Sequence, residues 1–234
     1  MTLSVDNLHC GYDRVSVLKG VRFEVRPKEI HALLGRNGAG KTTTLKAIMG
    51  LVSCTQGTIR LDGEELTRRA AHEIPRLGVA YVPQGRRLFP HMTVEENLRM
   101  GLLAGSGGPQ TVDQVLELFP ILRERLRQRA GTLSGGQQQM LAMGRALCLR
   151  PKLLLLDEPC EGLQPSLVDK LLATVAQLRD RGVSVLLIEQ KVDAALEIAD
   201  RISFLENGVL RHEALPAALR ADPGPLHRFV GVSR

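Results

Sequence analysis

The feature that most constrains the fold is a glycine-rich segment between a predicted strand and a predicted helix. Residues 30–34, IHALL, are typical of a buried strand, and the pattern GxxxxGKT follows from Gly35 to Thr42. A helical pattern continues over residues 43–49. Glycines let the backbone turn tightly enough to point successive N–H groups inward, where they and the positive helix end hold phosphate oxygens. The segment therefore predicts a phosphate-binding loop.

Within this loop, Lys41 is predicted to reach the β and γ phosphates of a nucleotide, and the Thr42 hydroxyl to bind Mg²⁺. A chance match is the alternative: with glycine near 7% of residues, the four fixed positions coincide in roughly 1% of chains of this length. The flanking strand and helix lower that chance further, so phosphate binding is favoured. The predicted nucleotide contacts are Gly35, Arg36, Asn37, Gly38, Ala39, Gly40, Lys41, Thr42 and Thr43.

A second apolar run, residues 153–156, ends in two carboxylates, Asp157 and Glu158. Acids at the end of such a run are costly to bury without partners, but at the carboxyl end of a parallel strand they meet ligand instead. Asp157 is predicted to hold Mg²⁺ directly or through water, and Glu158 to orient or deprotonate the attacking water. A capping acid before Pro159 is the alternative, and it does not explain both acids together with the distant loop.

Residues 134–148 predict a capped helix with an unusual start. Ser134 and Gln137 form a capping box, so the helix is expected to begin at Gly135 and to end before Pro151. An ordinary capped helix explains Ser134 and Gln137. It does not explain the paired glycines, Gly135 and Gly136, which permit close backbone approach where the helix dipole favours an anion.

Composition excludes several classes of protein. The chain has 234 residues, 44% hydrophobic and 24% charged, which is ordinary for a soluble globular protein. Apolar stretches fall short of the ~18 residues of a membrane span, and the start lacks the pattern of a signal peptide, so a cytosolic location is expected. A net charge of +6 with few aromatics is weak support for nucleic-acid binding, and no such partner is expected.

The spacing of the cysteines predicts neither a disulfide framework nor a zinc site. They are interpreted as small apolar residues that fill the core: Cys10, Cys54, Cys148 and Cys160.

Five motifs, in this order, resemble those of the ATP-binding subunits of ABC transporters: GRNGAGKTT, YVPQG, LSGGQQQ, LLLLDEP and a polar residue that closes the last strand. The resemblance covers essentially the whole chain, and the set of motifs is specific. It implies an α/β fold, with a P-loop NTPase core, a mixed sheet and an inserted helical subdomain. It also implies a head-to-tail dimer that encloses two ATP, each bound by the phosphate loop of one subunit and the LSGGQ helix of the other.

The resemblance assigns further roles. Tyr12 is expected to stack on adenine, and Gln84 to contact Mg²⁺ and sense the membrane partner. Glu158, Gln190 and Lys41 are the expected catalytic residues, and Thr42, Gln84 and Asp157 the expected metal ligands. The residues expected to act across the dimer are Ser134, Gly135, Gly136 and Gln137.

The chain is expected to divide into a first core part at residues 1–84, a helical signature subdomain at 85–149 and a second core part at 150–234. A capping box begins the first inserted helix at Thr93. The helical subdomain is expected to offer a groove to transmembrane permease subunits, which must be separate chains, with a solute-binding protein acting indirectly. The protein would then be peripheral, on the cytoplasmic face of the inner membrane.

Several stretches resemble importers of branched-chain amino acids, urea and short amides more than the family at large, among them DEPCEGLQPS, whose EGLQPS leans towards the urea branch. Two departures from the general family pattern stand out: Gln190 replaces a histidine, and Gln164 replaces an aspartate. A dimerisation module with little hydrolysis is therefore the alternative function, and the presence of Glu158 argues against it.

A third possible class is a relative that acts in DNA repair or on ribosomes. Such proteins carry long coiled coils or two fused cores, and the single core and compact insertion of this sequence argue against that class.

Gln190 raises a specific hypothesis. The default interpretation is a turn residue without a functional role. However, a glutamine NH₂ and a neutral histidine N–H can donate similar hydrogen bonds to a phosphate oxygen. Glutamine cannot become a cation, so Gln190 is predicted to contact the γ-phosphate through a hydrogen bond whose strength does not depend on pH.

Cys160 stands where the family usually has serine or threonine. A buried, unreactive apolar residue is the favoured interpretation there, over oxidative control of turnover.

Overall fold

The strands form two sheets in the computed structural model, which describes residues 1–13, 15–105 and 107–231. The first is antiparallel, in the order β2-β1-β4-β5, with β1 (Leu3–Tyr12), β2 (Val15–Val25), β4 (Cys54–Leu61) and β5 (Glu64–Glu65). The second has the order β10-β9-β3-β8-β7-β6, with β3 (Ile30–Leu34), β6 (Val79–Val82), β7 (Leu153–Asp157), β8 (Ser184–Ile188), β9 (Arg201–Glu206) and β10 (Val209–Ala214). Its strands are parallel except β10, so the predicted mixed sheet is confirmed.

Both faces of the six-stranded sheet are covered, which explains why its strands read as continuous apolar runs. Along β7, Leu154 and Leu156 belong to the core on one face, and Leu153 and Leu155 to the core on the other. All four are fully buried, and each buried leucine contributes about 1.5–3 kcal/mol relative to exposure. The alternation holds the central strands, and therefore their carboxyl ends, in a fixed position.

The helices cover this sheet. They are α1 (Lys41–Ile48), α2 (Val94–Leu102), α3 (Pro109–Leu118), α4 (Pro120–Arg123), α5 (Gly135–Leu147), α6 (Pro165–Asp180), α7 (Val192–Ile198), α8 (Pro216–Ala221) and α9 (Gly224–Phe229), with short 3₁₀ turns at Ile74–Leu77 and Ala130–Thr132. Residues of α5 and α6 pack on one face, and α1 packs with the antiparallel sheet on the other. Between β6 and β7 lie α2 to α5. Among the described residues, none of these helices is both long and apolar enough to cross a bilayer.

The expectation for the cysteines is wrong for one pair. Cys10 and Cys54 are register partners on β1 and β4, their Cα atoms lie 4.1 Å apart, and a disulfide joins them. The two residues are separated by 44 positions in the chain, so only the pairing of the two strands brings them together. Cys148 and Cys160 are free and buried, as expected of apolar fillers.

Candidate phosphate-binding and catalytic site

The predicted phosphate loop connects β3 to α1 as expected. Gly40 is the N-cap residue of α1, with a φ of +108° that disfavours any side chain. The loop also holds its own lysine: Lys41 Nζ donates to Gly35 O at 2.8 Å and to Arg36 O at 3.1 Å. Burial lowers the pKa of the Lys41 ammonium, while the carboxylates of Glu158 and Asp157 act in the opposite direction. The loop therefore presents a partly desolvated cation beside two acids.

The sheet order brings the other predicted residues to this loop. β3, β8 and β7 are parallel neighbours, so their carboxyl ends lie at one edge of the sheet. A cleft of about 480 Å³ opens there. Its walls combine the loop, residues that follow β6, β7 and β8, and one residue of β2. They are formed by Val17, Asn37, Gly38, Gly40, Lys41, Thr42, Thr43, Gln84, Glu158 and Gln190. Gly35, Arg36, Ala39 and Asp157 lie outside these walls.

Asp157 ends β7 almost fully buried, with 1% of its surface exposed. Thr42 Oγ1 donates to its Oδ1 at 3.0 Å, and Tyr81 Oη donates to its Oδ2 at 3.0 Å. Burial raises the pKa of Asp157, and the Thr42 and Tyr81 hydroxyls oppose that rise by stabilising the carboxylate. Burial also raises the pKa of the Tyr81 phenol, so this side chain stays a neutral donor. The two hydroxyls fix the orientation of the carboxyl group.

Glu158 is held between two amides. Gln190 Nε2 donates to Glu158 Oε1 at 2.7 Å, and Gln84 Nε2 donates to Glu158 Oε2 at 3.1 Å. Gln84 Nε2 also reaches Glu161 Oε2 at 3.1 Å. The backbone of Glu158 has a φ of +51°, in the left-handed region that residues other than glycine seldom occupy. Such a conformation persists only where its surroundings hold it, and it is frequent at active sites.

The LSGGQ segment forms a well-capped helix start. Ser134 Oγ accepts from Gln137 N, and Gln137 Oε1 accepts from Ser134 N at 3.0 Å, so the predicted capping box is complete. At Gly136 a Cβ would come within 2.3 Å of a terminal methyl group of Leu167, so a larger residue there would require the Leu167 side chain to move. None of the residues from Ser134 to Gln137 lies in the wall of the cleft described above. This turn and the phosphate loop of the same chain are separate surfaces.

Tyr12 lies at the end of β1 with 43% of its surface exposed. It is not part of the cleft wall, but Lys46 of α1 places its ammonium 5.8 Å from the centre of the Tyr12 ring. An exposed aromatic ring beside α1 is compatible with base stacking, and that role stays a prediction. The γ-phosphate contact of Gln190 also stays a prediction, because its side chain is bonded to Glu158 here.

Three contributors to this region were missed from the sequence. Tyr81 stands inside the YVPQG motif, but its bond to Asp157 depends on the pairing of β6 with β7. Val17 of β2 joins the cleft wall from the antiparallel sheet. Glu189 directly follows the apolar β8. An acid at the end of an apolar run is the signal that identified Asp157 and Glu158, and it could have identified Glu189 as well.

Comparisons with known proteins agree with this geometry. The family model described as ABC transporter matches residues 18–161. The branched-chain amino acid transport ATP-binding protein BraG of Pseudomonas aeruginosa is 46% identical over 98% of this chain and 99% of its own. The probable counterpart LivF of Archaeoglobus fulgidus is 39% identical over 86% of each. The ADP conformation of MJ1267, an ATP-binding cassette of an ABC transporter, superposes with a TM-score of 0.88 and 26% identity, over 99% of this chain and 100% of that one.

Proposed function

The chain belongs to the ABC transporter family, and from this premise we propose that it is the ATP-hydrolysing subunit of a membrane importer for branched-chain amino acids. The observation that carries the proposal is the convergence of Lys41, Glu158 and Gln190 on one cleft, with Asp157 directly behind it. A phosphate-binding cation and a held carboxylate are the parts that phosphoanhydride hydrolysis requires. Members of the family bind nucleotide, and ATP is the substrate that fits the proposal.

The residues beside the cleft also fit Mg²⁺. Thr42 Oγ1 and Asp157 Oδ1 lie 3.0 Å apart, and Gln84 offers an amide oxygen from the wall of the cleft. Hydroxyl, carboxylate and amide oxygens are the ligands that Mg²⁺ prefers. Bound there, Mg²⁺ would neutralise charge on the β and γ phosphates. The network from Tyr81 keeps the Asp157 carboxyl group oriented for this role.

In the proposed reaction each residue of the chain has a distinct task. Lys41 holds the terminal phosphates, because its ammonium is a cation that the carbonyls of Gly35 and Arg36 hold at the loop. Glu158 orients the attacking water and accepts its proton. Gln84 and Gln190 fix the Glu158 carboxylate from two sides, which lowers the entropic cost of placing that water. The amides carry no charge, so they orient Glu158 without neutralising it.

We propose that the LSGGQ turn acts on the nucleotide of a second subunit, either a copy of this chain or a homologue. Ser134 is exposed and lies outside the cleft of its own chain. Backbone N–H groups at a helix start are donors for phosphate oxygens. A head-to-tail pairing brings this surface to the open side of the partner's cleft.

We further propose that residues 85–149 form a helical subdomain between core parts 1–84 and 150–234, and that it docks to the permease through Phe89. This ring is 42% exposed, and the loop that carries it is held by the buried Asn97 and the half-buried Arg145. Asn97 bonds both the N–H and the carbonyl of Phe89, each at 3.0 Å. Arg145 donates to Arg87 O at 2.7 Å and lies 5.3 Å from the Phe89 ring centre. A rigidly held aromatic side chain is a favourable anchor for a partner.

The solute is inferred from the relatives, because an ATPase subunit does not touch it. BraG and LivF are named as ATP-binding proteins of branched-chain amino acid transport, and both match most of this chain. Permease subunits, a solute-binding protein and a position on the cytoplasmic face of the inner membrane follow from the same proposal. Urea is the competing solute.

Uptake by cells that lack this chain tests the solute directly. Labelled leucine and labelled urea are offered side by side, with wild type or Glu158→Gln restored. Loss of leucine uptake that wild type alone restores supports the proposal. Loss of urea uptake alone would assign the protein to amide import instead.

The second candidate is a nucleotide-gated dimerisation module with little hydrolysis. Gln190 in place of histidine is the observation that favours it. The bonded position of Glu158 speaks against it, since a module without hydrolysis has no need of a carboxylate held from both sides. Steady-state ATP turnover, alone and with the permease, separates the two functions: Glu158→Gln abolishes turnover only in the hydrolytic one.

A further inference from the structure

Glu189 is a buried acid whose carboxylate accepts hydrogen bonds from three backbone N–H groups. It follows β8 directly, and 2% of its surface is exposed. Its Oε1 accepts from Cys160 N at 2.9 Å, and its Oε2 accepts from Gln190 N at 3.0 Å and from Lys191 N at 3.2 Å. Among the ion pairs of the described residues, none involves Glu189. A buried carboxylate needs such donors, and here they come from two different turns.

These two turns carry two side chains of the cleft wall, Glu158 and Gln190. Cys160 lies two residues after Glu158, in the turn that follows β7, and Gln190 lies in the turn that follows β8. A second bond, from Glu158 N to Ile188 O at 2.9 Å, joins the Glu158 turn to the end of β8. The left-handed backbone of Glu158 is thus fixed on both sides, by its own N–H and by the N–H of Cys160.

We infer that Glu189 is a positioning residue for ATP hydrolysis: its carboxylate locks the Glu158 turn to the Gln190 turn, and thereby sets where the Glu158 carboxylate stands. This inference rests on the proposed function. Glu189 acts through its neighbours, since the bonds of its carboxylate go to backbone groups of residues 160, 190 and 191. Its bonds do not involve the phosphate loop, so nucleotide binding is expected to be largely independent of it.

The test compares three variants of the full chain. Glu189→Gln keeps the shape of the side chain but turns one acceptor oxygen into an NH₂ group that faces N–H donors. Glu189→Asp keeps the charge on a shorter side chain. Asp193→Asn removes the same charge from an exposed residue at the start of α7 and is the matched control.

We expect kcat to fall about 100-fold in Glu189→Gln, as a misplaced catalytic group can cost that much. The Kd for ATP should stay within about threefold of wild type. Glu189→Asp should recover part of kcat, and Asp193→Asn should stay within about twofold of wild type. A wild-type kcat in Glu189→Gln would overturn the inference. So would a joint collapse of kcat, ATP affinity and melting temperature, because that describes an ordinary core residue.

Amide hydrogen exchange separates this inference from the proposed function. In Glu189→Gln the peptides covering residues 157–161 and 189–192 should exchange faster than in wild type, and in Asp193→Asn they should not. If these peptides exchange at the same rate in Glu189→Gln as in wild type, Glu189 does not hold the two turns together, even if turnover falls. If wild type hydrolyses no ATP, the proposed function fails, and exchange alone decides whether Glu189 joins the two turns.

Discussion

Gln190 donates a 2.7 Å hydrogen bond to the Glu158 carboxylate, across the gap between the ends of two neighbouring parallel strands. The bond assigns the amide a task that does not depend on the phosphate: it orients the group proposed to activate water. A histidine can donate the same bond, but it would become a cation near neutral pH, and a glutamine does not. With glutamine in place of histidine, no titrating ring stands beside the carboxylate that is proposed to activate water.

The first prediction concerns pH. We expect the wild-type rate of ATP hydrolysis to change smoothly between pH 5.5 and 8, without a step near the ordinary imidazole pKa of about 6.5. Gln190→His introduces a titrating ring and should add such a step. Steady-state hydrolysis at constant ionic strength measures both profiles. A near-neutral step in wild type that Gln190→His lacks would contradict the prediction.

Tyr81 offers a test of the buried hydrogen bonds around Asp157. Tyr81→Phe removes the 3.0 Å bond to Asp157 Oδ2. A hydrogen bond to a charged group contributes about 1.5–3 kcal/mol, so the melting temperature should fall by roughly 3–10 °C. Tyr12→Phe, which removes a hydroxyl from an exposed ring, is the control and should shift it little. Equal shifts in the two variants would show that the Asp157 bond is not the cause.

The start of α2 gives a pH-dependent contribution to stability. Glu96 Oε2 accepts from Thr93 N at 2.7 Å and from Thr93 Oγ1 at 2.9 Å, and these bonds lower the pKa of Glu96 from its ordinary 4.5. Because the folded pKa is the lower one, the stabilisation is present above pH 4.5 and is lost as the pH falls through the folded value. In urea unfolding, Glu96→Gln should have a lower free energy of unfolding than wild type at pH 7. The difference between the two should disappear as the pH falls below the folded pKa of Glu96. A gap of constant size would refute this.

The free cysteines are expected to be unreactive in the folded chain. Burial raises the pKa of Cys148 to about 12, and burial together with the Glu189 carboxylate raises that of Cys160 further. At pH 8 a thiol with a pKa of 12 is thiolate in about one molecule in ten thousand. Mass spectrometry after iodoacetamide should find both unmodified in folded protein, both modified in denaturant, and Cys10 and Cys54 modified only after reduction. Rapid labelling of Cys160 in the folded protein would contradict this prediction and would support oxidative control of turnover.

Local patterns in the sequence were sufficient for the elements around the site. The strand predicted at residues 30–34 is found at Ile30–Leu34, and the helix predicted to begin at Gly135 does begin there. The capping box at Thr93 is present with both of its bonds. Each of these depends on residues close together in the chain, where spacing and side-chain type determine the outcome.

Contacts between residues far apart in the chain could not be predicted from local sequence patterns. The disulfide of Cys10 with Cys54 requires the register of β1 on β4, which no local pattern specifies. Likewise, the bond of Gln190 to Glu158 depends on β7 and β8 being neighbours in the sheet. The sequence predicted that both side chains belong to one site, and the structure adds that one holds the other. Their roles toward nucleotide stay predictions until tested.

The central claim is that the nucleotide is enclosed between the phosphate loop of one subunit and the Ser134 turn of another. Light scattering of Glu158→Gln on a sizing column, with and without Mg-ATP, tests it most directly, with Ser134→Arg in the same background as control. With Mg-ATP we expect twice the 25.6 kDa mass of one chain, and the mass of one chain when Ser134→Arg is added. A single-chain mass for Glu158→Gln at saturating Mg-ATP would contradict the claim.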